Sequence, residues 1–117
     1  MGKGKNKKQS KFKKNRMNRI KASKFHQNSI DAVKKFCSYI NRHNCSDFYL
    51  EFNNSVDLYA TVSFSCDNED EYFVVISSEI SLPESKLSTN QYKMTYNGLT
   101  DSLEIETGNH TLYIQCD

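Results

Sequence analysis

Eleven basic side chains fall within the first 25 residues of this 117-residue chain, with no acid among them: Lys3, Lys5, Lys7, Lys8, Lys11, Lys13, Lys14, Arg16, Arg19, Lys21 and Lys24. Ammonium and guanidinium groups at this density are suited to displacing the counterions of a polyphosphate. They form the candidate nucleic-acid-binding set. Contacts of this kind fall on phosphate, which positions a protein without reading its bases, so base-specific recognition is not expected. Phe12, set among the cations, could stack on an unpaired base.

The opposite charge lies in the rest of the chain. Residues 1–42 carry fourteen Lys/Arg against the single acid Asp31, a balance of +13; residues 43–117 carry Lys86 and Lys93 against thirteen acids, a balance of −11. The formal total of +2 therefore hides two oppositely charged halves, an asymmetry that points to nucleic acid or membrane surfaces. The acids Asp57, Asp67, Glu69, Asp70, Glu71, Glu79, Asp101, Glu104 and Glu106 are expected in turns or on strand faces away from the core. Their densest cluster, Asp67, Glu69, Asp70 and Glu71, is the candidate protein-binding site, suited to a basic groove and to steering that weakens with salt.

Chemistry beyond charge finds little support. The cluster at 67–71 lacks the glycine and terminal glutamate of a calcium loop. Cys37, Cys45, Cys66 and Cys116 do not pair at zinc-ligand spacing, and Cys37, His43 and Cys45 would need a fourth ligand from afar. Without an export signal the thiols are expected to be buried and reduced. His26, His43 and His110 fall at loops or element ends, no glycine-rich phosphate loop exists, and no base is evident beside any Ser, Thr or Cys nucleophile. The chain reads as non-enzymatic, with no metal and no cofactor.

The elements that must carry these residues follow from periodicity. Residues 1–25 have too few apolar side chains to offset the entropy of ordering and are expected to be a disordered basic tail. Met17 and Ile20, three apart, allow the part from about Lys11 to become helical on a polyanion. Residues 26–117 form the folded domain. A helix is expected from about Ser29 to Arg42, with Asn28 as N-cap, Asp31 in its first turn and an apolar stripe of Ile30, Val33, Phe36, Cys37 and Ile40.

From there the period is two. Phe48, Leu50 and Phe52 alternate with Tyr49 and Glu51, and Asn53-Asn54-Ser55 supplies a turn. Val56, Leu58, Ala60, Val62, Phe64 and Cys66 define one face of the next strand. The run from Tyr72 to Leu82, apolar on both faces, reads as a central strand ended by Pro83, and Glu84 to Asn90 as a polar loop. Asn97-Gly98 predicts a tight hairpin, with Leu99 in its second strand, and Gly108-Asn109 a further turn of the same kind. The fold class is α+β: one N-terminal helix packed on an antiparallel meander of five or six strands. With no long apolar run, the chain is expected to be cytosolic, or nuclear in a eukaryotic host.

A basic start of the form Gly2-Lys3-Gly4-Lys5-Asn6-Lys7-Lys8, then a helix, then a small antiparallel sheet, resembles in layout the small phage-encoded anti-CRISPR proteins that inhibit Cas9. The Asn-, Lys- and Ser-heavy composition would suit a phage of a low-GC bacterium. The resemblance implies a basic tail engaging guide RNA or the guide-loaded nuclease, with further protein contacts from the sheet. The partner expected is thus nucleic acid, RNA first, or a nucleoprotein such as an effector nuclease, with no membrane and no small-molecule substrate. A general RNA- or DNA-binding accessory, for instance a ribosome-associated factor, would use an identical tail.

Overall fold

No glycine or proline interrupts residues 8–43, and Lys, Arg, Gln, Ala and Met are all good helix formers. In the computed structural model, which describes the backbone of residues 8–67 and 70–117 and side-chain surroundings from His26 onward, one helix, α1 (Lys8–His43), occupies that whole stretch. Asn28 is therefore inside the helix rather than its N-cap, and Asp31 is not in the first turn. The physical reason is that residues after His26 are held by tertiary packing, so the nucleation cost is met there and the helix need only propagate toward Lys8. The helix is continuous back to Lys8, and residues 1–7 lie outside the described residues. The helix stops as expected: Asn44 takes φ 51° and the Cys45 amide donates to the Ile40 carbonyl at 3.1 Å, a left-handed cap with the 6→1 bond of a Schellman end.

Seven strands follow, β1 (Phe48–Phe52), β2 (Ser55–Asp67), β3 (Glu71–Ser77), β4 (Lys86–Ser88), β5 (Lys93–Asn97), β6 (Ser102–Glu106) and β7 (Thr111–Cys116). They form one antiparallel curled sheet in the order β4-β3-β2-β1-β7-β6-β5. The α+β class holds, but the strand count is seven rather than five or six, and β1 pairing with β7 joins two meanders where one was expected. The additional strand, β4, falls in the expected polar loop. Its backbone ladders onto β3 through Phe73–Ser88 and Val75–Lys86, a pairing that needs no apolar alternation.

The first connection is the expected turn, and the two later ones differ from the tight turns expected. Asn53 and Asn54 both take positive φ, 48° and 66°, and join β1 to β2 as a two-residue turn, the geometry of type I′. At Asn97-Gly98 the glycine does not take positive φ; the loop is longer, Asp101 takes φ 52°, and Leu99 sits almost wholly exposed at its tip. The Asn97 side chain accepts the Leu99 amide at 2.9 Å, the local bond that lets Asn organise a turn without a left-handed neighbour. In the last turn only Gly108 takes positive φ, at 99°.

One face of the sheet is covered by the C-terminal half of α1. Val33 and Phe36 are fully buried, with Ala32 nearly so, against Phe48, Leu50, Val74, Met94, Leu103, Ile105, Leu112 and Ile114, and Ile30 is buried beside that cluster. The Phe36 ring lies 5.9 Å from Phe64 in an edge contact and 6.3 Å from both Phe48 and Tyr96, within the range where aromatic pairs add to area burial. The helix also closes an edge. Fully buried Ser29 donates to the Tyr92 carbonyl at 3.1 Å and accepts the Met94 amide at 3.0 Å, so its hydroxyl serves edge strand β5 as a neighbouring strand would.

Strand β2 does not keep one phase. Phe48 pairs with Ala60, but Leu50 pairs with Asp57, so β2 carries one extra residue between them. This is a β-bulge at Leu58-Tyr59, and it inverts the alternation. Ala60 and Val62 point inward as expected, whereas Val56 and Leu58 are about half exposed and Asp57 is buried. Cys66 is exposed as well.

Cys45 and Cys116 are bonded to each other, their Cα atoms 5.8 Å apart, inside the range a disulfide takes. The expectation of reduced thiols fails for this pair because Cys116 pairs with Phe48 in the sheet, just past the helix end that carries Cys45. Cys37 and Cys66 are free.

Candidate nucleic-acid interface

Lys8, Lys11, Lys13, Lys14, Arg16, Arg19, Lys21 and Lys24 all lie on the N-terminal half of α1, while Lys3, Lys5 and Lys7 lie outside the described residues. At 1.5 Å per residue the seventeen positions from Lys8 to Lys24 span about 25 Å, or roughly one cation every 3 Å. Each strand of a B-form duplex carries one phosphate per about 3.4 Å of helix axis, so the two axial charge densities are alike. The molecule measures 54 × 30 × 23 Å, and a helix of 36 residues is about 54 Å long by the same rise.

The cations further along the helix are differently used. Lys34 is exposed and its Nζ sits 5.9 Å from the centre of the Tyr72 ring. Lys35 lines a shallow groove of about 310 Å³ with Asn28, Asp31, Lys93 and Thr95. Described contacts between the helix and the sheet domain begin at His26, whose Nε2 lies 3.0 Å from the Asn90 carbonyl.

The acidic cluster is split by the fold. Asp67 ends β2 and Asp70 lies in the turn after it, both exposed, while Glu69 lies outside the described residues. Glu71 begins β3, and its carboxylate accepts the Ser88 hydroxyl, tying it to edge strand β4. Asp57, expected on the wet face, is instead a structural acceptor. It takes the Tyr59 amide at 2.8 Å, the Ser78 hydroxyl at 2.7 Å and the Glu79 amide at 3.1 Å. These bonds, the Ser78 hydroxyl foremost, hold its carboxyl below the usual carboxylate range. They also end β3 at Ser77, well before Pro83.

The surface that sequence reasoning missed is the outer sheet face. Val56, Glu51 and Tyr113 lie in one cross-strand row on β2, β1 and β7, with Tyr49 two residues from Glu51 and the bulged Leu58-Tyr59 alongside. Tyr59 is 79% exposed and Val56, Leu58 and Tyr113 between 39% and 48%. Tyr49 and Tyr59 were legible as outward-facing; Val56 and Leu58 were not, because nothing in the alternation marks a bulge.

No group of three or more metal-ligating side chains gathers among the described residues. His43 lies against Tyr39 with ring centroids 4.2 Å apart, and His110 against Phe52 at 5.7 Å. No helix among the described residues is long and apolar enough to cross a membrane. Set beside protein families, curated proteins and solved structures, the chain matches none.

Proposed function

We propose that this protein is a non-enzymatic binder of a nucleoprotein, acting as an inhibitor in the manner of the anti-CRISPR proteins its layout resembles, with nucleic acid held by the arm of α1 and protein by the acidic sheet domain. The observation that carries the reading is the arm: eight cations from Lys8 to Lys24, with no acid, on a helix continuous with the one that anchors the core. A polyanion bound along it is joined, without an intervening loop, to the helix that packs on the sheet. That arrangement suits a target offering guide RNA and protein surface together better than it suits naked nucleic acid. Asp67 and Asp70, exposed at the β2–β3 turn, remain available to a basic groove, whereas Glu71 is engaged with Ser88.

The working compartment under this reading is the cytoplasm, that of the host cell if the gene is carried by a phage. The Cys45–Cys116 bond must then persist against thiol-reducing conditions that usually keep such pairs open.

The test is purification of tagged full-length protein from its native host at moderate salt, scoring both protein and nucleic acid. One stoichiometric protein that carries RNA, and whose activity is lost in the complex, is the expected result. Heterogeneous nucleic acid without a defined protein would instead establish a general RNA- or DNA-binding accessory. For that alternative, log affinity should fall against log salt with a slope of about −0.7 per phosphate contact on single strands and about −0.9 on duplex DNA. A flat salt response would remove the arm from either mechanism.

A further inference from the structure

The inner face of the sheet is occupied by the C-terminal half of α1, and no element among the described residues covers the outer face of β2-β1-β7-β6-β5. That outer face combines two features. Val56, Leu58, Tyr59 and Tyr113 make an exposed apolar and aromatic patch around Glu51. The next carboxylate along the same row is Glu104, paired with Tyr113 across β6 and β7. Among the described residues Glu51 accepts the Tyr49 phenol, at 3.4 Å, and Glu104 the Asn97 amide group, at 3.0 Å. The single ion pair among the described residues is Lys93–Glu106, at 3.8 Å, so neither Glu51 nor Glu104 has a cationic partner there. Carboxylates interleaved with exposed tyrosine rings are suited to ammonium and guanidinium groups.

The complementary element is in the same sequence. The arm of α1 carries cations and no acid, and its sequence includes Phe12, Met17 and Ile20. Residues 8–25 of the helix are about 27 Å long, and five strands at about 4.8 Å span roughly 24 Å, so the arm matches the width of the face. Its own molecule cannot supply it, because the arm continues the helix that is packed on the opposite side of the sheet.

We propose that the outer face of β2-β1-β7-β6-β5 seats the basic helical arm of a second copy of this chain, giving a reciprocal dimer. The contact is the same patch on both copies, as two-fold symmetry requires, and each sheet becomes covered by a helix on both faces. An arm seated on carboxylates is withheld from phosphate, so the dimer and the polyanion complex are alternative states of the arm.

The test is sedimentation equilibrium of the full chain carrying Cys66→Ser, so that the exposed thiol cannot cross-link copies. At about 50 mM salt a mass near twice the 13.6 kDa of the chain is expected, falling to the monomer at about 500 mM salt as screening shortens the reach of the charges. Two variants, Glu51→Lys with Glu104→Lys on the face and Lys13→Glu with Lys14→Glu on the arm, should each be monomeric at low salt with unchanged circular dichroism. Mixed together they should re-form a one-to-one dimer, since each reversed arm then meets a reversed face. A wild-type chain that is monomeric at low salt up to millimolar concentration overturns the proposal, as does a dimer that survives both variants. So does a monomer whose outer face binds added polylysine, because the occupant would then be a separate basic chain. RNA binding by the face variant, measured independently, keeps this outcome separate from the proposed function.

Discussion

The side-chain oxygen of Ser29 sits 3.0 Å from the backbone nitrogen of Met94, where helix α1 serves as a neighbour to edge strand β5. The same hydroxyl donates to the Tyr92 carbonyl, so both of its hydrogen-bonding roles are used. Ser29→Ala leaves a buried amide and a carbonyl unmatched, which costs about 1–3 kcal/mol. The loss should appear as a lower midpoint in urea with an unchanged slope. A shift under about 0.3 kcal/mol would show that β5 does not depend on the helix for its edge.

Asp57 makes the fold sensitive to acid. Its carboxyl titrates below the ordinary carboxylate value because the Ser78 hydroxyl and the Tyr59 and Glu79 amides all donate to the charged form. A depressed folded-state pKa contributes stability that is complete above the unfolded value, about 3.9, and is lost as pH falls through the folded value. Asp57→Asn should therefore be less stable than wild type at pH 7 and lose less stability between pH 5 and pH 2. Parallel acid limbs in urea titrations of the two proteins would remove Asp57 from the acid response.

Tyr96 sets the other limit. Burial first, and then the 2.6 Å bond its phenol donates to Asp101, pushes its pKa up to about 12. A raised folded-state value contributes stability that is complete below the unfolded pKa, about 10, and disappears as pH rises through about 12. Absorbance at 295 nm should show a late-ionising phenolate component that Tyr96→Phe abolishes. Its persistence in that variant would assign it to another of the seven tyrosines.

Cys45 and Cys116 close a span of 71 residues. A cross-link over that length restricts the unfolded chain by about 4 kcal/mol in the loop-entropy treatment, within a usual range of about 2–5. Reduction should lower the unfolding midpoint by a matching amount, and Cys45→Ser should reproduce the loss with no further effect of reductant. Thiol counting on native oxidised protein should show Cys66 reacting first. Cys37 should react slowly, because burial raises the pKa of its thiol. Four rapidly reacting thiols before reductant would refute the cross-link.

Much of this architecture can be read from residues in order. The stripe residues Val33, Phe36, Cys37 and Ile40 do face the core cluster, with Ile30 buried beside it, and Phe48, Leu50, Ala60 and Val62 point inward as their alternation demands. What escaped depends on partners distant in sequence. The bulge at Leu58-Tyr59 exists because Asp57 is captured by Ser78 and Glu79, twenty-one and twenty-two residues away. The disulfide depends on β1 lying beside β7. The upstream extension of α1 was masked by an Asn28–Asp31 capping pattern that a docked helix overrides. In the candidate site the basic arm was legible from charge alone, while the outer face stayed hidden because a one-residue slip exchanges Val56 and Leu58 for Asp57.

Strand β7, the last of the seven to be synthesised, lies between β1 and β6 and carries Leu112 and Ile114, both fully buried. A ribosome therefore releases the helix and six strands before the piece that joins the two meanders exists. The sheet should close only after Thr111–Cys116 has left the exit tunnel, and deleting that strand would remove the middle of the sheet rather than trim its margin.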